Sequence, residues 1–564
     1  MSDTPAMRPG HSAGTPAFTR RSTVAGATAA ASLAFFKWTA AGAAGFGERT
    51  RYAVQAERTT GGELKVGLSN EPPNLDPHQA SALIASTVMG NIFDTLLSES
   101  YDGHLFPGLA TSWETSADGL SVTLKLKTGV TFHDGEPFNA SAVQYSFDRM
   151  VDPATQSGLA ASMLGPYTGS QVVDDTTVVA TFSKPFAPFL KNLARNYTAP
   201  ISPKAGAQFG LDFATNPVGT GPFIFKEWVQ KDHLILERNP NYAWAPDFLG
   251  IQGPSSLDSI TWRFVAEEAT RLATLRNGES TIIESFPPAF VSQFQGDSDY
   301  AIDINANPGI PFSFMVNTIN PPCDDIAVRQ AMHYGLDKET ISQTINFGVY
   351  PPAHAPLSPV TLGYWPEAES MYPFDPDQAK SILDAAGWIA DGDGMRAKDG
   401  VALKVQFWTL SDIVLYQNIS QVFQAQMRDI GIDVEIVSLA RAAWGEGVRS
   451  GKHHLTTQIF GLTDPSVLAL NFDSANIPVD GGQGFNWSFY TNPDLDNLFA
   501  QGEAELNSDA RVALYQQAQK IILDNAVMIP VYVLQQVYGR DTSLQGLVYI
   551  TAGMPLMYTA FLAE

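Results

Sequence analysis

Three residues suited to acid–base or metal chemistry fall within four positions: His133, Asp134 and Glu136 in TFHDGEPFNASAVQYSFDRM, residues 131–150. An imidazole beside carboxylates can move a proton or hold a metal, so an exported hydrolase is one reading of this stretch. The same residues also have a plainer reading. Asp134-Gly135 is a strong turn signal, because glycine accepts positive φ without steric cost. Asn139 is a favoured N-cap, and Val143, Phe147 and Met150 after it share one helical face. Strand, turn, cap and helix is the expectation, with no catalytic residue and no metal site assigned.

Other chemistry-bearing stretches reduce in the same way. GTGPF, residues 219–223, has the glycines of a phosphate loop but no following Lys-Ser/Thr. DGDGMRAKDG, residues 391–400, begins like a calcium loop. It then carries Met395 and Arg396 where a ligand and a glycine are needed, and Ala402 replaces the closing Glu. A hairpin turn is expected there, with a weak surface calcium as the alternative. His453-His454 is an isolated pair beside a strand-like run. The single cysteine, Cys323, allows no intramolecular disulfide and no thiolate-built metal cluster.

The elements that would position these residues are of both kinds. GELKVGLS (62–69) alternates and reads as a first strand. It is followed by NEPPNLDP (70–77), too rich in proline for a helix or sheet interior. Residues 82–97 show helical spacing. Hairpins are expected within 120–132 through Thr128-Gly129, within 171–182 through Asp174-Asp175, and within 221–242. Helices are expected over 327–345, 375–388 and 416–432. The last is flanked by KVQFWTL and DVEIVSL as a βαβ unit.

The chain has 564 residues, enough for two or three lobes, and a formal net charge of −24. That charge opposes binding to nucleic acid. Arg20-Arg21 precede an Ala-rich apolar run, and small residues follow at 41–45. Residues 1–47 thus read as an export signal of twin-arginine type, with an ordinary secretory signal as the alternative, and 48–61 as a flexible leader. No cysteine follows the apolar run. The expectation is an exported, periplasmic protein without a lipid anchor, and no later run is long enough for a membrane helix.

Residues 101–150, with the order PGLATSWE…LKLKTGVTFHDGEPF, resemble the signature region of the oligopeptide/dipeptide/nickel/opine class of bacterial ABC-transporter solute-binding proteins. NPVGTGPFIFKEW (216–228), VNTINPPCDDIAVRQAMHYGLDKETI (316–341) and AKSILDAAGWIADGDGMRAKDG (379–400) resemble further blocks of that family. The resemblance implies an α/β fold of the periplasmic binding protein type (type II, cluster C). Two large lobes would be joined by a hinge, with an extra subdomain inserted. The implied boundaries are 61–108, 214–305 and 530–564 for lobe I, 109–213 for the inserted subdomain, and 306–529 for lobe II. It also implies a monomer without cofactor that captures a small-molecule ligand for an ABC permease in the inner membrane. A receptor presenting ligand to a sensor is the alternative.

Dipeptide-binding members of the family resemble one another in two anchors. One is an Asp before a downstream Asp-Pro, for the ligand amine; the other is an Arg before the helix of the late βαβ unit, for its carboxylate. Here QIFGLTDPSVL (458–468) keeps Asp464-Pro465 but lacks the earlier Asp, and FWTLSDIVLYQNISQ (407–421) contains no arginine. Leaving a buried charge unpaired costs roughly 3–5 kcal/mol, so an ordinary dipeptide is disfavoured. A modified peptide, opine, glycoside or cationic metabolite is expected instead. The candidate ligand contacts are Glu71, Asn74 and Leu75 in the proline-rich loop, with Trp408, Asp412, Tyr416, Trp444, Phe460, Asp464 and Trp487 downstream.

Overall fold

In the computed structural model, residues 58–101, 103–479, 482, 484–550 and 553–563 are described. The proposed export signal, and most of the leader, lie outside these residues.

The alternating run Glu63–Leu68 forms a strand near the middle of a seven-stranded sheet. Its neighbours Ser259–Phe264 and Ile282–Ile283 run parallel to it. Outward from these lie the hairpin Phe223–Val229/His233–Arg238 on one side, and Gln535–Asp541 and Tyr300–Ala306 on the other. Apolar cores cover both faces, one centred on Trp262 and Phe223, the other on Phe286 and Phe294. This two-sided burial is what a sheet with parallel strands requires.

A five-stranded sheet has the order Asp433–Leu439, Lys404–Leu410, Leu455–Phe460, Ile310–Val316, Met528–Tyr532. Its first three strands are parallel, and the helix Val414–Asp429 connects the first pair in the expected βαβ unit. Separate cores again pack its two faces. A four-stranded antiparallel sheet built from residues 110–182 carries the helix Ala140–Val151, which buries Val143, Phe147 and Met150.

The chain passes between the two large sheets at Asn307–Gly309 and returns at Val533–Leu534. The return falls just after the expected 529–530 boundary, because Met528–Tyr532 pairs with the strand Ile310–Val316.

Three local expectations change. Thr128-Gly129 does not close a hairpin. Ser121–Leu126 pairs instead with Ala110–Thr115 through the turn at Asp118-Gly119, and Val130–Phe138 folds on itself. The run 327–345 is two helices, Ile326–Tyr334 and Lys338–Thr344. Gly335 ends the first, and Asp337 caps the second by accepting from the Thr340 N–H. The helix expected over 82–97 stops at Met89.

Candidate ligand site

The His133 cluster is built into a turn and a helix cap. The His133 ring is buried, its Nε2 lies 3.0 Å from the Gly221 carbonyl, and burial lowers its pKa to about 4. Asp134 accepts from the Ser202 hydroxyl at 2.6 Å and from the Glu136 N–H at 3.2 Å, closing the turn. Gly135 takes φ +84°, and Asn139 caps the helix through the Ala142 N–H at 3.0 Å. The same helix does position a loop of interest. Arg149 reaches both carboxylate oxygens of Asp76, at 3.0 and 2.5 Å. Asp76 is wholly buried, so this pair fixes the end of the proline-rich segment 70–77.

In open α/β sheets, ligands bind outside the carboxyl ends of the parallel strands. In the seven-stranded sheet those ends lead into Ser69–Leu75, Val265–Glu267 and Glu284–Pro287. Arg271 ties the last two loops together, donating to the carbonyls of Val265, Glu284 and Ser285. Glu284 accepts from both the backbone N–H and the hydroxyl of Ser69. Glu71 accepts from Trp228 Nε1 at 2.9 Å and the Lys231 N–H at 3.0 Å, so it pins the neighbouring hairpin turn. Asn74 is half-buried, and its Oδ1 has no partner among the described residues. Leu75 is fully buried in the core and therefore leaves the set of proposed contacts.

The five-stranded sheet supplies a denser wall. Pairing of Leu410 with Leu439 sets the turn Ser411–Asp412 beside Ala440–Arg441, and Arg441 lies 3.2 Å from Asp412 with both side chains exposed. A cation thus stands where the 407–421 segment has none, delivered by the following strand. Tyr416 packs on Phe312 at 4.7 Å, and Phe312 stacks on Tyr532 at 4.6 Å. Trp444 donates to the Thr456 hydroxyl at 3.0 Å and meets Trp487 edge-on at 5.3 Å. Trp487 approaches Phe485, which meets Phe460 edge-on at 5.1 Å. Four half-buried aromatic rings thus form a continuous row, with Trp408 packed behind against Gly447. Gln458 is buried, gives its amide to the Phe485 carbonyl at 3.3 Å, and keeps Oε1 without a partner among the described residues.

Asp464 is not available to a ligand. Arg511 holds both its oxygens at 2.7 Å, and both side chains are buried. Burial alone would raise this carboxyl, but the charge and hydrogen bonds of Arg511 bring it down to about 2. The Asp-Pro pair signals a rigid loop rather than a contact. Beyond it, a cavity of about 170 Å³ lies between residues 462–476 and the segment 159–195, with Ser162, Arg195, Thr463, Asp473 and Glu503 in its wall. Across this boundary the Thr463 hydroxyl lies 3.3 Å from Glu99. Arg441, Gln458, Phe485 and Arg195 escaped the sequence reading, since each enters through pairing or packing distant in the chain.

These groups gather around the loops that follow the parallel strands, the place where open α/β sheets bind ligands. The model of the bacterial extracellular solute-binding proteins, family 5 (middle), matches residues 104–476, and the chain belongs to that family. It is a binding protein and not an enzyme. The glutathione-binding protein GsiB of Pectobacterium atrosepticum is 30% identical over 84% of this chain and 89% of that protein. The periplasmic binding protein DppA of Helicobacter pylori, solved with the peptide STSA, is 25% identical with a TM-score of 0.75, over 90% of this chain and 99% of that one. NikA from Brucella suis, solved with Fe(III)-EDTA, shares the fold with a TM-score of 0.78 at 24% identity, over 89% and 100% of the two chains. The fold is that of the type II periplasmic binding proteins.

Proposed function

We propose that this protein is the periplasmic, monomeric solute-capture component of an ABC importer. It takes a small polar ligand between two lobes, built on the seven- and five-stranded sheets, and hands it to an inner-membrane permease. The crossings at Asn307–Gly309 and Val533–Leu534 serve as the hinge. The ligand is a modified peptide, opine, glycoside or cationic metabolite rather than an ordinary dipeptide. Glutathione, whose first peptide bond runs through a side chain, is the first candidate, since relatives of this chain are glutathione-binding proteins.

The observation that carries this reading is the half-buried row Trp444, Trp487, Phe485 and Phe460, with the open Gln458 Oε1 at its foot. Aromatic faces with one fixed amide acceptor suit a ligand with an apolar or cationic surface and an N–H to place. Glu71, Asn74, Trp408, Asp412 and Tyr416 complete the proposed contacts. The test is thermal unfolding with glutathione, α-linked dipeptides, opines, glycosides and quaternary amines. A true ligand at 100 times its Kd adds about 2.7 kcal/mol of stability. One of the non-standard classes should raise the melting temperature. Tight binding of α-linked dipeptides, with no response to the others, would overturn the ligand class.

A further inference from the structure

The cavity beside Thr463 has two electrical poles. At one end, Glu99 is fully buried and serves two cations, Lys191 at 2.7 Å and Arg195 at 3.0 Å, themselves 15% and 11% exposed. Two cations on one carboxylate leave one positive charge over, in a place where water screens poorly. Lys191 is turned away, giving its other bond to the Gly103 carbonyl at 2.9 Å, whereas Arg195 lines the cavity.

Among the described residues, nearby acids do not absorb that charge. Asp464 is matched by Arg511. Asp94, in the adjoining space, draws its donors from Thr220, Tyr242 and Trp244, with Lys127 as its nearby cation. At the other end the balance reverses. Glu503 has Lys184 at 3.5 Å, and among the described residues that lysine is also the cation that acts on Asp473. Asp473 uses Oδ1 to cap the Ser474–Asn476 turn. Burial and the neighbouring Asp496 push its carboxyl up, as expected for an acid short of positive charge.

We propose that this cavity receives a compact zwitterionic head, with ammonium and carboxylate on one carbon: Arg195 takes the carboxylate and Asp473 the ammonium. The inference rests on the solute-binding reading above and names the chemistry of one end of the ligand. Arg195 and Asp473 both line this one cavity, so a ligand that meets both carries its two charges inside it. An α-linked dipeptide separates them to its two ends. A peptide linked through a side chain, such as a γ-glutamyl compound, keeps an intact amino-acid head and leads the rest of the molecule away through that side chain. Arg195 and Asp473 would then do, from other elements, the work of the two absent anchors. Thr463 closes the cavity by reaching Glu99 from the opposite side.

The experiment compares γ-Glu-Ala with α-Glu-Ala, isomers of equal composition and net charge, by calorimetry on the full processed chain. The γ isomer should bind at least tenfold tighter. Arg195→Gln should weaken it at least tenfold and erase the preference between isomers, and Arg195→Lys should restore part of both. Should Arg195→Gln fail to fold, Asp473→Asn, at a half-buried turn, gives the same loss of preference. Equal affinity of the two isomers for the unmodified protein, or a preference that survives both substitutions, would overturn the assignment while leaving solute binding intact. Binding of an opine, glycoside or quaternary amine with neither isomer bound would also overturn it and leave the broader reading standing. Failure of every class would sink both.

Discussion

Asp464 shows how one residue's role turns on a partner the local sequence does not contain. Its Asp-Pro context suggested a ligand contact, yet Arg511, 47 residues away, occupies both oxygens. The pair ties the 462–467 loop to the helix Ser508–Asp524. Breaking a buried pair strands a charge, at a cost of about 3–5 kcal/mol, whereas removing both partners costs far less. Arg511→Met should therefore lower stability by that amount in urea titration, and Arg511→Met with Asp464→Asn should recover part of it. The carboxyl is held at about 2, against roughly 3.9 in an unfolded chain. Its contribution is complete above about pH 4 and is lost as pH falls from there toward 2. An Arg511→Met protein as stable as its parent would show that the pair only fills space. Leu75 teaches the related lesson that a position in a proline-rich loop can be pure core.

At the scale of elements, strands with strict alternation and helices with clear caps were legible, because both patterns are local. Glu63–Leu68, the hairpin Tyr167–Asp174/Thr177–Phe182 and the βαβ unit around Val414–Asp429 appear where the pattern put them. Thr128-Gly129 failed as a hairpin because Asp118-Gly119, an equal turn signal, offers Ser121–Leu126 a partner strand. The aromatic row was half visible: Trp444, Phe460 and Trp487 were named, but Phe485 and Gln458 join only through packing. The Asp412–Arg441 pair depends on parallel register between strands that start 29 residues apart, which no short window can read. Gly447 makes a sharper case. It lies in the helix Arg441–Arg449, where glycine costs up to about 1 kcal/mol relative to alanine. A Cβ there would stand 2.2 Å from Trp408 Cζ3, so the helix needs glycine to approach the ring. Overpacking of this kind costs about 1–3 kcal/mol and outweighs the propensity gain. Gly447→Ala should lower the melting temperature and shift tryptophan fluorescence. A more stable variant would mean that Trp408 has room to move.

For the whole molecule, buried and half-buried imidazoles tie both large sheets' surroundings to pH. His78 lies beside the proline-rich loop, His133 just before the helix Ala140–Val151, and His354 and His453 in the half built on the five-stranded sheet. Burial lowers all four to about 4. An unfolded histidine titrates near 6.5. Between these values the unfolded chain binds more protons, so stability rises with pH across the window. The contribution is complete above about pH 6.5 and is lost as pH falls toward 4, on the order of 1–3 kcal/mol for each histidine. Asp94 opposes this: burial raises its carboxyl to about 6, so it favours the fold as pH falls through that value. One acid against four histidines leaves a net loss. Urea midpoints should therefore fall steadily from pH 6.5 to 4.5, below the window near pH 7 in which the buried Lys338 titrates. His133→Gln, which keeps a donor for the Gly221 carbonyl, should flatten part of that slope. Midpoints that stay level down to pH 4.5 would mean that these rings protonate in place, and the burial of the four imidazoles would then impose no acid limit on the fold.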